Sequence, residues 1–322
     1  MGVEAYRSVV VGVSDLGRAL GLFRDVMGLR VEYEGALSRS LLDAWKVGPA
    51  VTARAVELSC RGYAYGRLLL VEYSPAATRK VRVDHGPQAG DSPLAIGPKA
   101  IDFYVTDSIR TALDRVVAAG FAARSTPRKH QIGQSISEEV VVTGPDDLPM
   151  LLMVGHRHAA TSLRAGSPDG MFSEIATASV IMSDVAASRH FYGDLLGLRA
   201  VNDAETPDQY RDLVCELVDA PRGTRVHFLL YASPGEASGK ILLIHFFDCT
   251  GPRLSDRMRP GHLGFSLFRH DVDDVERYAR GAAAAGGSVF SGPVRVLTER
   301  GERLVALLKG PNEELLELSQ PG

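Results

Sequence analysis

Short apolar runs alternate along this chain with segments whose apolar positions recur every three or four residues. Residues 8–13 (SVVVGV) and 177–182 (TASVIM) are small or β-branched and suit strands. Each is followed by a Ser-Asp pair (14–15 and 183–184) that supplies an N-cap for a helix. There Leu16, Ala19, Leu20, Phe23, Val26 and Met27 form one amphipathic stripe, and Val185, Ser188, Phe191, Tyr192, Leu195 and Leu196 form another. Gly28 and Gly197 stand where each helix should end, in a position that favours positive φ. Further along, AIDFYV (100–105) leads into a helical pattern around 108–119, and HLGFSL (262–267) leads into one around 274–285. Gly-Pro turns at 144–145 and 310–311 precede two apolar closing strands.

These segments are two copies of one pattern. Gly28 and Gly197 share a common offset with Asp15 and Asp184 (197 − 28 and 184 − 15 both equal 169). GRLLLVEYSP (66–75) faces GKILLIHFFD (239–248), and VVVTGPDDLPMLLM (140–153) faces ALLKGPNEELLELS (306–319). Each half reads as βαβββ followed by another βαβββ. The pattern predicts an N-terminal domain over 1–154, a polar, Gly/Pro-containing linker over 155–173 and a C-terminal domain over 174–322.

The 322-residue length fits two domains, and a content of 45% hydrophobic and 23% charged residues is that of a globular protein. With a net charge of −3 and no basic block, nothing points to nucleic acid as a partner. The N-terminus does not read as a signal peptide, and no apolar run reaches membrane-helix length. Cys60, Cys215 and Cys249 are odd in number and widely spaced, which suits a reduced, cytoplasmic setting. The oligomeric state is open, and a homodimer is one possibility.

The phrases SDLGRALGLFRDVMGLR and SDVAASRHFYGDLLGLR, with GPNEELLEL near the end, resemble the vicinal oxygen chelate superfamily of glyoxalases, bleomycin-resistance proteins and extradiol dioxygenases. The resemblance implies an α+β fold: tandem paired βαβββ modules forming two half-open mixed β-barrels with flanking helices. It also implies a small-molecule substrate or ligand, and four inward-facing slots able to hold a metal. In the N-terminal half the slots fall at or near Ser8, Leu69, Ala100 and Leu151, none a good ligand. In the C-terminal half they fall near Thr177, Leu242, His262 and Glu317.

His262 (in GHLGF) and Glu317 (in ELLELS) match the family motif, so the resemblance implies that they bind the metal. His245, in ILLIHFF, is the candidate third ligand, or instead a catalytic acid/base histidine. Two histidines and one carboxylate would suit Fe(II) in a dioxygenase-like member, with Zn, Ni or Mn for the glyoxalase type. The stretch RLVALLKG lacks the tyrosine that extradiol dioxygenases usually carry there. Glu317 in an apolar strand needs a cation or donors, which an arginine such as Arg303 would also supply. His85 and His130 read as loop residues, and His156 and His158 as solvated linker residues.

Two functions follow from the resemblance. One is a metal-dependent enzyme of the glyoxalase or extradiol-dioxygenase type, acting on vicinal oxygens of a small molecule from the C-terminal half. The alternative is a metal-free, antibiotic-sequestering binder of the bleomycin-resistance kind, with its ligand in an apolar cleft.

Overall fold

The computed structural model describes residues 2–60, 63–85, 90–106, 108–157 and 170–322. Four βαβββ modules follow one another. The first comprises β1 (Tyr6–Val13), α1 (Leu16–Leu20), β2 (Arg30–Ala36), α2 (Arg39–Ala44), β3 (Thr52–Ser59) and β4 (Arg67–Ser74). The second comprises β5 (Gly97–Val105), α3 (Ile109–Ala118), β6 (Ala122–Ala123), β7 (Arg128–Ile132), β8 (Ser135–Thr143) and β9 (Pro149–Arg157). The third comprises β10 (Phe172–Ile181), α4 (Val185–Arg189), β11 (Arg199–Glu205), α5 (Arg211–Val218), β12 (Val226–Ala232) and β13 (Lys240–Phe246). The fourth comprises β14 (Gly264–Asp271), α6 (Val275–Gly281), β15 (Ser288–Thr298), β16 (Gly301–Lys309) and β17 (Leu315–Pro321).

The repeat signals act locally as their chemistry requires. Asp15 accepts from the Arg18 amide and Asp184 from the Ala187 amide, capping α1 and α4. Gly28 (φ 78°) and Gly197 (φ 71°) end the helical segments in the left-handed region. The single helix expected in each copy is instead a short α-helix that widens into a π-helical turn, over Gly21–Val26 and His190–Leu195. The wider turn buries adjacent residues together, Leu22 with Phe23 and Phe191 with Tyr192. Of the expected linker, residues 155–157 belong to β9 and 172–173 to β10, while 158–169 lie outside the described residues.

The four modules build two mixed sheets, and the pairing crosses the halves of the repeat. The eight-stranded sheet runs β15-β16-β17-β14-β1-β4-β3-β2, uniting the first and fourth modules. The nine-stranded sheet contains β11-β12-β13-β10-β5-β9-β8-β6, with β7 beside β8, uniting the second and third. Slots expected to gather half by half therefore gather across the halves.

Strand alternation decides which residues enter each concavity. On β1, Val9 and Val11 join the main core with the helices, whereas Val10 faces the other way. In the eight-stranded sheet that second face is filled: Leu41, Leu42 and Trp45 from α2 and its C-cap pack on Val10, Leu69, Leu267 and Leu307. In the nine-stranded sheet, α5 covers only part of the corresponding face, with Val214 and Cys215 against Phe228 and Ile244. The rest of that face is a cleft.

Candidate functional site

The cleft in the nine-stranded sheet encloses about 1000 Å³ of void, its open mouth included. Its walls are mostly apolar, formed by Leu151 and Met153 of β9, Leu242 and Ile244 of β13, and Phe228 and Leu230 of β12. Ala100, Leu151, Thr177 and Leu242, taken as slots from two separate halves, all line this one cleft. The register explains why: Thr177 lies opposite Asp102 across β10 and β5, and Asp102 lies beside Leu151 across β5 and β9.

Asp102 projects into the cleft and is 2% exposed. Burial and then the charge of Glu139 push its carboxyl well above the ordinary range. The shift favours the protonated acid, the form that can donate to an acceptor in the cleft. Beside it runs a chain of polar groups. The Ser137 hydroxyl donates to Glu139 Oε1 at 2.6 Å, and His130 Nε2 stands 2.9 Å from Glu139 Oε2. Burial alone would discharge His130; the adjacent Glu139 carboxylate outweighs it and raises the imidazole's affinity for a proton. His130 is thus a residue of β7 that lines the cleft, where the sequence suggested a loop.

One end of the cleft is cationic. Arg124 and Lys99 line it, and the Lys99 ammonium donates to Asp84 Oδ2 at 2.6 Å. Burial lowers the Lys99 pKa to about 8, although Asp84 works against the shift. Arg124 Nη2 donates to Asp219 Oδ2 at 2.5 Å.

The three residues expected to hold a metal are not brought together. His245 is on β13 but does not line the cleft, because its neighbour Ile244 does and successive side chains alternate. Its Nδ1 lies 3.4 Å from the Met182 carbonyl and its ring meets Phe247 edge-on at 5.0 Å. His262 precedes β14 rather than lying on it, with Nδ1 2.9 Å from the Arg257 carbonyl. Glu317 is on β17 of the other sheet and fully buried. It accepts from Arg269 Nε at 2.8 Å and Trp45 Nε1 at 2.6 Å. The arginine paired with it is thus Arg269, while Arg303 serves Asp271 and Ser319.

Arg269 takes the slot that His262 was expected to fill. It lies opposite Ser8 and beside Glu317, as Asp102 lies opposite Thr177 and beside Leu151. A divalent metal does not fit these donors. Among the described residues no three His, Cys, Asp or Glu side chains converge on a point where an ion would sit.

Residues 174–318 match the Glyoxalase/Bleomycin resistance protein/Dioxygenase superfamily, and this part of the chain belongs to it. The fold of the whole chain is shared with glyoxalase I from Zea mays, at 14% identity and a TM-score of 0.62 over 98% of this chain and 92% of that one. It is shared too with a putative dioxygenase from Bacillus subtilis, at 14% identity and a TM-score of 0.60 over 100% and 87% of the two chains. No curated protein matches the sequence. Among the described residues no helix is long and apolar enough to cross a membrane.

Sequence reasoning passed over Asp102, Arg124, His130 and Glu139. A signal for Asp102 was present, since an acid inside the apolar run AIDFYV raises the same question as Glu317 in LLELS. Arg124 carried no comparable signal, because it comes from the connection between β6 and β7.

Proposed function

We propose that this protein binds a small organic molecule in the cleft of the nine-stranded sheet, and that binding needs no metal. The observation that supports this most is the convergence of Ala100, Leu151, Thr177 and Leu242 on one largely apolar cleft, with no set of metal donors among them. Apolar walls with a few fixed polar groups are the usual composition of a small-molecule site. Desolvation of the ligand body by Leu151, Met153, Phe228 and Leu230 would supply most of the affinity. The neutral Asp102 carboxyl would orient the molecule by donating to one of its oxygens or nitrogens. The metal-dependent enzyme that the superfamily also offers has less support here, because His262, His245 and Glu317 are engaged separately.

The test is fluorescence titration with phenylnaphthylamine, an uncharged apolar dye, on protein treated with EDTA. Saturable binding that survives EDTA and is lost in Leu151→Arg is expected. Binding that appears only with added Fe(II), Zn(II), Ni(II) or Mn(II) would overturn the proposal, as would binding indifferent to Leu151→Arg.

A further inference from the structure

The cationic end of the cleft asks for something that the protein does not supply. The Arg124 side chain is 2% exposed, yet Nε and Nη1 are buried without a hydrogen-bond partner among the described residues. Its contacts are Asp219 on Nη2 at 2.5 Å and Asp84, 3.6 Å from Nη1 and beyond hydrogen-bond length. A buried guanidinium N–H left without an acceptor costs on the order of 1–3 kcal/mol, so native proteins rarely leave one. Arg124 lines the cleft, and two of its donors, directed to different sides of the guanidinium, lack an acceptor that a ligand could bring.

The charges around Arg124 pair with one another and leave those two donors unserved. Asp84 is shared by three cations: Lys99 at 2.6 Å, Arg82 at 3.4 Å and Arg124 at 3.6 Å. Arg82 spends its other donors on the Pro98 and Ala95 carbonyls, and Lys99 also donates to the Pro93 carbonyl. Counting Asp219, and Asp91 whose charge also acts on Arg82, three carboxylates meet three cations here, and of these six Arg124, Lys99 and Asp219 line the cleft.

We infer that the ligand is an organic anion, with an apolar body against Leu151, Met153 and Phe228 and an oxyanion head accepting from one of the unpartnered N–H groups of Arg124. This rests on the cleft being the binding site, and it narrows the ligand from any small apolar molecule to an amphiphilic acid. An oxygen of a carboxylate or sulfonate would give such a donor a charge-assisted hydrogen bond. Lys99, held beside it by Asp84, adds attraction without needing to touch the head group.

The experiment compares two dyes that share one aromatic body, anilinonaphthalene sulfonate and uncharged phenylnaphthylamine. The sulfonate should bind the wild type at least tenfold more tightly than the uncharged dye. Added sodium chloride should weaken the sulfonate alone. Arg124→Met should lower sulfonate affinity tenfold or more and bring it close to that of the uncharged dye for the same variant. Arg124→Lys, retaining charge without the fixed directions of the guanidinium donors, should fall between. Equal affinities of the two dyes for the wild type, without a salt effect on the sulfonate, would overturn the anion assignment even if Arg124→Met failed to fold. The cleft would then remain the site for an uncharged molecule. If neither dye responds to Leu151→Arg, the cleft itself is not the site, and both readings fall together.

Discussion

Arg269 donates through Nε to Glu317 Oε1 at 2.8 Å, with both side chains almost wholly buried in the eight-stranded sheet. The same guanidinium reaches Glu299 at 2.9 Å, and the Glu299 carboxyl is drawn down to about 2. Burial works against that shift, and the Arg269 charge and hydrogen bond overcome it. Glu317 is thus part of a closed polar network under Trp45. Arg269→Met would leave two buried carboxylates without their cation and should cost about 3–5 kcal/mol. Glu317→Ala leaves Arg269 with Glu299 and should cost less. Urea denaturation of the two variants should place them in that order; equal midpoints to the wild type would mean that the network does not support the fold.

His270 and Glu314 pull stability in opposite directions with pH. Burial lowers His270 to about 4, so between that value and the unfolded value of 6.5 the unfolded chain binds the extra proton. Stability from this group is full above pH 6.5 and is lost as pH falls toward 4, a change on the order of 3 kcal/mol. Glu314 is raised by burial to about 7, so it stays protonated in the fold where the unfolded carboxyl has already ionised. Its contribution falls as pH rises from 4.5 to about 7. The contributions of these two groups should therefore largely cancel across this window. His270→Gln should remove the rising component, leaving a denaturation midpoint that declines from pH 4.5 to 7. An unchanged profile would show that His270 is not held neutral.

The features that local chemistry determines were legible in the sequence. Asp15 and Asp184 cap helices because a carboxylate beside free amides needs no tertiary context. Gly28 and Gly197 are equally local. The partner of each module was not legible. The four modules share one hydrophobic pattern, so pairing the first with the second or with the fourth satisfies the same alternation. His262 was mistaken for a strand residue because GHLGF resembles a ligand motif, while β14 begins at Gly264 and the inward slot is Arg269. Ala100, Leu151, Thr177 and Leu242, which the sequence pattern divides between two halves, line one cleft.

Asp102 should report its own protonation. Its carboxyl is held neutral in the fold, whereas in the unfolded chain it ionises near 3.8. Stability contributed at low pH is therefore lost as pH rises above that value. Asp102→Asn keeps the shape and removes the ionisable proton, so the variant should match the wild type near pH 4 and exceed it in thermal midpoint at pH 8. Infrared difference spectra of wild type minus variant should show a protonated-carboxyl C=O band at pH 8. A carboxylate band instead, with the variant less stable at pH 8, would mean that Asp102 is ionised and partnered.

Metal binding gives the most direct check on the slots, because the scaffold positions them whether or not they carry ligands. Thr177, Leu151 and Leu242 line one cleft, and Asp102 bridges the first two in register. Installing Thr177→His, Leu242→His and Leu151→Glu together would place two imidazoles and a carboxylate where the wild type has a hydroxyl and two isobutyl groups. That is a donor set suited to a first-row divalent ion. By metal analysis after dialysis, the triple variant should retain about one equivalent of Zn(II) or Ni(II), and Asp102 should ionise beside the ion's charge. The wild type should retain none, and His262→Ala and Glu317→Ala should not alter that result. Stoichiometric metal in the wild type, lost in both of those single variants, would instead show that the eight-stranded sheet rearranges in solution to free Glu317 from Arg269.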